Sequence, residues 1–274
     1  MADLCAPHAW REPLDGIDTV VHLAALAHQV GKAGKGRREE FRRTNAEATG
    51  VLAGACRSAG VRRLIFLSSI AASEMDGQIE PTDYGRSKRE AEQLIESELR
   101  ASSTDWCILR PPLVYGPGNP GNMERLMKLI QLGLPLPFAS IRNVRSFLFI
   151  DNLVDAIVAV VRHAQPIRAT FTLTDGTDVS TPNLVRTLAK YSGRRPLLFP
   201  VPMPLLRLIG RGADAAGFLL RRSLPFDSYS IDKLVGSMHI DGAAFRAAFS
   251  WEPPVSPERG LQATCTALLE RKAE

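Results

Sequence analysis

The sequence predicts an α/β fold, with a parallel sheet through the first two-thirds and a smaller α/β lobe at the C-terminus. Three observations predict it. Short β-branched runs alternate with helical patterns, the arrangement that builds parallel sheets. The runs are almost continuously apolar, as strands covered on both faces must be. The wording of the chain then shifts after about residue 174, where turn and cap signals replace the alternation.

Taken in order, the expected strands are Asp18–Ala25 (DTVVHLAA), Arg62–Ser69 (RRLIFLSS), Trp106–Tyr115 (WCILRPPLVY) and Arg145–Ile150 (RSFLFI). Apolar residues at helical spacing predict helices over Glu39–Ala59, Tyr84–Leu99, Asn122–Leu132 and Asn152–His163. Phe171–Thr174 is a short strand, Asp175-Gly176 a turn, and Ser180-Thr181-Pro182 opens a helix with proline at an early position. Pro200–Pro204 is a linker, and Ser256-Pro257 caps a last helix. This divides the chain into residues 1–118 plus 145–175 and residues 119–144 plus 176–274.

At 274 residues the chain is long enough to bury a large core. Apolar residues make up 45% and charged residues 23%, a globular composition. No run is apolar enough for a membrane span, and the N-terminus has no secretory pattern. The four cysteines are scattered without C-x-x-C, which points to a reducing cytoplasm. The five histidines lack ligand spacing, so no metal is expected. A net charge of +5 permits acidic partners. Its densest cluster, Lys32 to Arg43, has no interleaved aromatics and is a solvated face, so no nucleic acid is expected.

Tyr84-Gly-Arg-Ser-Lys88 carries the chemistry. Residues four apart on a helix share a face, and an ammonium near a phenol lowers its pKa, which would make Tyr84 a general base. Ser69 stands at the carboxyl end of its strand, where open α/β sheets bind ligands. Y-x-x-x-K alone is weak, but a strand-end serine 15 residues before it strengthens the pattern. Two glycine patterns are set aside. Gly116-Pro-Gly118-Asn-Pro-Gly121 lacks the following ribose-binding acid, and Pro117 and Pro120 remove two amides. Gly31 to Arg37 has Arg37-Arg38 where a phosphate loop needs Lys-Ser/Thr.

From Ala2 to about Thr266 the chain resembles the extended short-chain dehydrogenase/reductases, in the NAD-dependent epimerase/dehydratase branch that acts on nucleotide sugars. The resemblance implies a Rossmann-like sheet and NAD or NADP as cofactor. Asp3-Leu4 matches the acidic dipeptide at the adenine, and Leu23, Ala24 and Ala25 lie in the VVHLAA strand and turn over the dinucleotide. Asn45 in FRRTN supports the site. In FLSSI, Ser69 supplies the catalytic hydroxyl and Ser68 lines the nicotinamide. Tyr84 and Lys88 supply the base and the lysine that holds the nicotinamide ribose, with Pro111 and Pro112 packing on the ring. For a UDP-sugar substrate the resemblance implies His28, Ser69, Asn122 at a helix start, and Arg145 on the diphosphate. Phe138 either flanks the uracil or is a core aromatic. PPLVYGPGNPGN, DGTDVSTP and the C-terminal WEPPVSPERGL are closest to enzymes of surface-polysaccharide sugar synthesis. A homodimer through helices 39–59 and 84–99 is also implied.

Three departures qualify the resemblance. Relatives begin with two strand–helix units, roughly 60 residues, that carry the pyrophosphate-binding glycine loop. Here Asp3 is almost the first residue, so an N-terminally truncated sheet is expected, with Asp18–Ala25 as a bare apolar edge. The Ser69–Tyr84 interval is short, and Leu113 replaces an asparagine of many epimerases. The expected activity is 4-epimerisation of a UDP-hexose or UDP-hexosamine. The alternatives are reduction of a UDP-4-keto-6-deoxy-hexosamine, or an inactive nucleotide-sugar binding or partner subunit.

Overall fold

The computed structural model describes residues 4–27, 35–73, 82–118, 122–220 and 228–271. The elements run β1 (Thr19–His22), α1 (Lys35–Phe41), α2 (Ala48–Ala59), β2 (Arg63–Leu67), α3 (Asp83–Leu99), β3 (Asp105–Arg110), β4 (Leu113–Tyr115) and α4 (Asn122–Gln131). They continue with β5 (Phe147–Phe149), α5 (Ile150–Arg162), β6 (Arg168–Thr172), α6 (Thr181–Tyr191), α7 (Met203–Leu220), α8 (Ser228–Val235), α9 (Ala243–Phe249) and α10 (Pro257–Glu270). They form two units. The first holds Met1–Pro112, Leu153–Leu173 and Asp241–Glu252; the second holds Leu113–Asn152, Thr174–Ile240 and Pro253–Glu274.

The first unit contains a parallel four-stranded sheet in the order β1-β2-β3-β6. Its register aligns Thr19 with Arg63, Arg63 with Asp105 and Trp106 with Arg168. Leu64, Ile65, Phe66, Cys107, Ile108 and Leu109 are buried, as central parallel strands require. A charged pair is buried among them. Arg63 holds Asp105 through two bonds of 2.8 and 2.9 Å, and it donates to the Val160, His163 and Gln165 carbonyls. One guanidinium thereby bonds a carbonyl in the last turn of α5 and two just beyond its end, where a helix leaves carbonyls without partners. β1 is an edge strand, with Val21 and the following Leu23 exposed.

The expected strand Trp106–Tyr115 is in fact two. Pro111 and Pro112 have no N–H to offer a ladder, so β3 ends before them. β4 then pairs in parallel with β5 in the second unit. The expected helix Glu39–Ala59 is also interrupted, by one π-helical turn over Arg42–Glu47 between α1 and α2. The expected linker Pro200–Pro204 contains the start of α7 at Met203. Asp241–Glu252, expected in the second lobe, lies in the first unit because its rings join Phe171. Phe245 and Phe249 lie 5.7 and 5.3 Å from that ring, and Trp251 bonds Asp155 at 2.6 Å.

The second unit has its own core, including Met127, Leu136, Phe138, Leu188, Leu206 and Cys265. Buried Asp175 organises it, accepting from Phe149 N, Asn152 Nδ2 and the Tyr115 hydroxyl at 2.9, 2.7 and 3.0 Å. Ser180 and Ser256 cap α6 and α10 as expected. Among the described residues, no helix is long and apolar enough to cross a membrane.

Candidate active site

The site is built where β2 ends. Ser69 leaves the strand in an extended conformation and caps a short 3-10 turn, Ile70–Ala72, by accepting from Ala71 N at 3.2 Å. Thr82 caps α3 in the same way, accepting from Gly85 N at 3.0 Å. The two caps meet because residue 85 is glycine. A Cβ there would stand 2.3 Å from the Ala71 carbonyl oxygen, an impossible contact. The close approach brings Tyr84 to Ser69, and their side chains are hydrogen-bonded. The Phe41 ring packs edge-on against Tyr84 at 6.2 Å.

Lys88, one turn further along α3, is 2% exposed. Its ammonium donates to the Leu67 carbonyl at 2.7 Å and lies 4.5 Å from the centre of the Phe66 ring. Burial lowers its pKa from 10.5 to about 8, against an opposing pull from Glu92. The sequence expectation that Tyr84 is shifted down is not met. Burial, the largest influence, pushes the phenol above its ordinary value, and only the Ser69 bond acts the other way. A spacing of four residues brings a cation near but does not report how far the phenol is desolvated.

Asn45 stands in the π-helical turn, 1% exposed. Its amide accepts from Leu26 N at 2.7 Å and donates to Leu26 O and to Ser87 Oγ. It ties the segment after β1 to α3. Such turns gather at functional sites. The Ser68 hydroxyl is buried and donates to Glu92 at 2.6 Å. Pro111 and Pro112 are buried after β3, and Leu4, Leu23 and Ala24 are exposed. Asp3 and His28 lie outside the described residues.

The expected substrate residues other than Ser69 and His28 belong to the second unit. Asn122 begins α4, as expected. Arg145 is half-buried on a backbone paired with Val179 and Met238, and burial lowers its pKa. Phe138 is 2% exposed in that unit's core, which accords with its reading as a core aromatic.

Two groups escaped the sequence reading. Glu92 is fully buried and accepts from Ser68, from Arg110 through two nitrogens at 2.8 and 2.5 Å, and from Arg89 at 3.2 Å. It ties α3 to the ends of β2 and β3, and Arg110 extends the link to Ser73. The available signal was a carboxylate four residues after Lys88, on the stripe with Ile95 and Leu99. His22 is the other. It bonds Thr49 at 2.9 Å, Thr49 donates to the Asn45 carbonyl, and the ring stacks on Phe66. Burial and the Lys88 charge hold it near pKa 4 and therefore neutral.

A family model described as NAD dependent epimerase/dehydratase family matches residues 1–172. The chain belongs to this family. An epimerase/dehydratase-family relative from Vibrio cholerae, a UDP-glucose 4-epimerase, is 33% identical over 98% of this chain and 82% of its own length. Another, the N-acetyl-alpha-D-glucosaminyl-diphospho-ditrans,octacis-undecaprenol 4-epimerase of Escherichia coli O157:H7, is 23% identical over 96% of this chain and 81% of its own. Among solved structures, Thermotoga maritima UDP-glucose 4-epimerase with UDP-glucose aligns at a TM-score of 0.70. That match has 20% identity and covers all of this chain and 84% of that one. Bordetella bronchiseptica WbmG with NAD and UDP aligns at 0.69 and 18% identity, over 99% of this chain and 79% of that one. These likenesses show the Rossmann-like fold of the extended family.

Proposed function

We propose that this protein performs NAD(P)-dependent redox chemistry at C4 of a UDP-hexose or UDP-hexosamine, as a 4-epimerase. The observation that carries the reading is the Ser69–Tyr84 hydroxyl pair at the end of β2, one helical turn from Lys88. The Vibrio cholerae relative supports the choice of a UDP-sugar 4-epimerase.

The donor set fits the nicotinamide–ribose half of a dinucleotide. Lys88 has three donors and uses one on Leu67. Exposed Leu23 and Ala24 lie just past the carboxyl end of β1, where such sheets receive ligands. Lys88 and Tyr84 would hold the ribose, with Leu4, Leu23, Ala24 and Ala25 toward the adenine and pyrophosphate. When bound, the nicotinamide supplies a hydride acceptor and donor at C4. Tyr84 moves the proton at the sugar O4 and Ser69 shares the hydrogen bond to that oxygen. Asn45, His22 and Glu92 act behind them by fixing Ser87, the helix turn and Ser68.

A second reading, reduction of a UDP-4-keto-6-deoxy-hexosamine, is favoured by the upward shift of Tyr84. A phenol that keeps its proton at neutral pH is suited to give it to a ketone oxygen. The two are separated by incubating the protein with UDP-glucose or UDP-N-acetylglucosamine and NAD, and following the anomeric proton signals by NMR. A 4-epimerase reaches one mixture from either epimer. A reductase consumes NADH or NADPH only when offered the 4-keto sugar. UDP-sugar binding without NAD(H) binding by calorimetry sinks both in favour of a binding or partner role. The reading includes a homodimer through residues 39–59 and 84–99, checked by sedimentation velocity.

A further inference from the structure

The outer face of α7 is apolar where it meets solvent. Its inner face is settled by packing. Leu206 is buried, and Gly210 lies so close to α8 that a Cβ would stand 2.9 Å from Ser228 Cα. Leu205, Leu208 and Ile209 lie at i, i+3 and i+4 on another side and are 48, 63 and 47% exposed. At 100° per residue, Arg207 and Arg211 fall on one flank of that stripe, beside Asp214, and all three are exposed.

The segment leading into α7 has the same character. Leu197 and Phe199 are exposed while Leu198, between them, packs on the core. Their backbone runs beside Leu136, with Leu136 N donating to Leu197 O at 2.7 Å and Phe199 N to Leu136 O at 3.1 Å. Exposed Leu134 is two residues earlier. From Ser192 to Asp214 the sequence holds four arginines, Arg194, Arg195, Arg207 and Arg211, against one acid, Asp214 on α7. All four are exposed, so the segment carries a net positive charge.

We propose that the exposed stripe of α7 docks on an anionic lipid bilayer surface. An exposed apolar stripe flanked by arginines is the pattern of a helix lying in the interface plane, its apolar side in the acyl boundary and its cations on headgroup phosphates. Charge selects this occupant. A second copy would present the same net-positive face, and like charge opposes pairing through it. The inference is independent of the reaction proposed above.

The test is co-sedimentation of the full chain with vesicles of phosphatidylcholine alone and of phosphatidylcholine mixed with phosphatidylglycerol, across a salt series. The expected result is binding to the anionic vesicles only, weakening as salt rises. Arg207→Gln and Arg211→Gln should each lower the partition roughly fivefold. Leu208→Glu should abolish it while circular dichroism and the melting temperature stay as in the unsubstituted chain. If that variant fails to fold, the vesicle comparison and salt series on the unsubstituted chain still decide. Equal partition onto both vesicle types, no partition at all, or a concentration-dependent dimer that Leu208→Glu disperses would each overturn the proposal.

Discussion

Burial is the largest cause of both pKa shifts at the site, upward for the Tyr84 phenol and downward for the Lys88 ammonium. Under the proposed reaction, Tyr84→Phe should lower kcat by about 10²- to 10⁴-fold while leaving the melting temperature nearly unchanged, read by steady-state turnover and a thermal scan. Lys88 makes a prediction about stability. Below pH 8 it is charged in both folded and unfolded chains, and the folded chain bears the full cost of burying the ammonium. Between about 8 and 10.5 the folded chain releases the proton while the unfolded chain keeps it, so stability rises with pH across that window. The shift corresponds to about 3 kcal/mol. Lys88→Met should therefore be inactive yet more stable at pH 7, with the gain shrinking as pH approaches 10.5. Urea unfolding at pH 7 and pH 9.5 measures both, and an equal gain at the two pH values would refute the linkage.

The Ser69–Tyr84 pair depends at the element scale on how closely α3 approaches the turn after β2. Gly85→Ala places a methyl against the Ala71 carbonyl, so the helix start must move away from Ser69. The expected cost is about 1–3 kcal/mol, with a loss of kcat exceeding any change in KM. Glu92 fastens the same helix to both strand ends. Glu92→Gln leaves the Arg110 guanidinium without its buried counter-charge and should cost on the order of 3–5 kcal/mol by urea unfolding. Sequence patterns showed Ser69, Tyr84 and Lys88 because spacing along one strand and one helix is a local property. Glu92 and His22 were not legible, since a charged or imidazole side chain is usually solvated and its burial depends on what packs above it. The π-helical turn escaped for a related reason. Its register shift is stabilised by Asn45 bonding to Leu26 and Ser87, neighbours distant in sequence.

At the scale of the whole molecule, the first unit presents β1 as an edge with exposed Val21 and Leu23. Exposed apolar edges invite pairing with other chains. The chain should therefore associate with rising concentration, and Val21→Lys should raise the concentration at which light scattering sets in without lowering the melting temperature. Unchanged scattering would mean that association proceeds elsewhere. The second unit is organised around buried polar hubs as well as a hydrophobic core. Asp175 gathers β4, β5 and α5 there, and Asn143 joins the start of α6 to the end of α8 through Thr181 and the Leu234 carbonyl.

The sequence by itself determined the α/β class, the parallel character of the sheet and the hydroxyl, phenol and ammonium of the site, together with a resemblance to the family the chain belongs to. The class, the sheet and the site's spacing rest on periodicity, caps and short-range spacing, which a single chain displays, and the resemblance rests on motifs such as FLSSI and YGRSK. Tertiary structure decided where β3 stops and β4 joins another sheet, because prolines deny a ladder its donors but do not say which strand is next. It also assigned 241–252 to the first unit through aromatic contacts with Phe171, and it turned Ser68 inward to Glu92. Finally, it set the direction of the Tyr84 shift. Desolvation depends on every atom packed around a group, and those atoms are brought together only when distant segments meet.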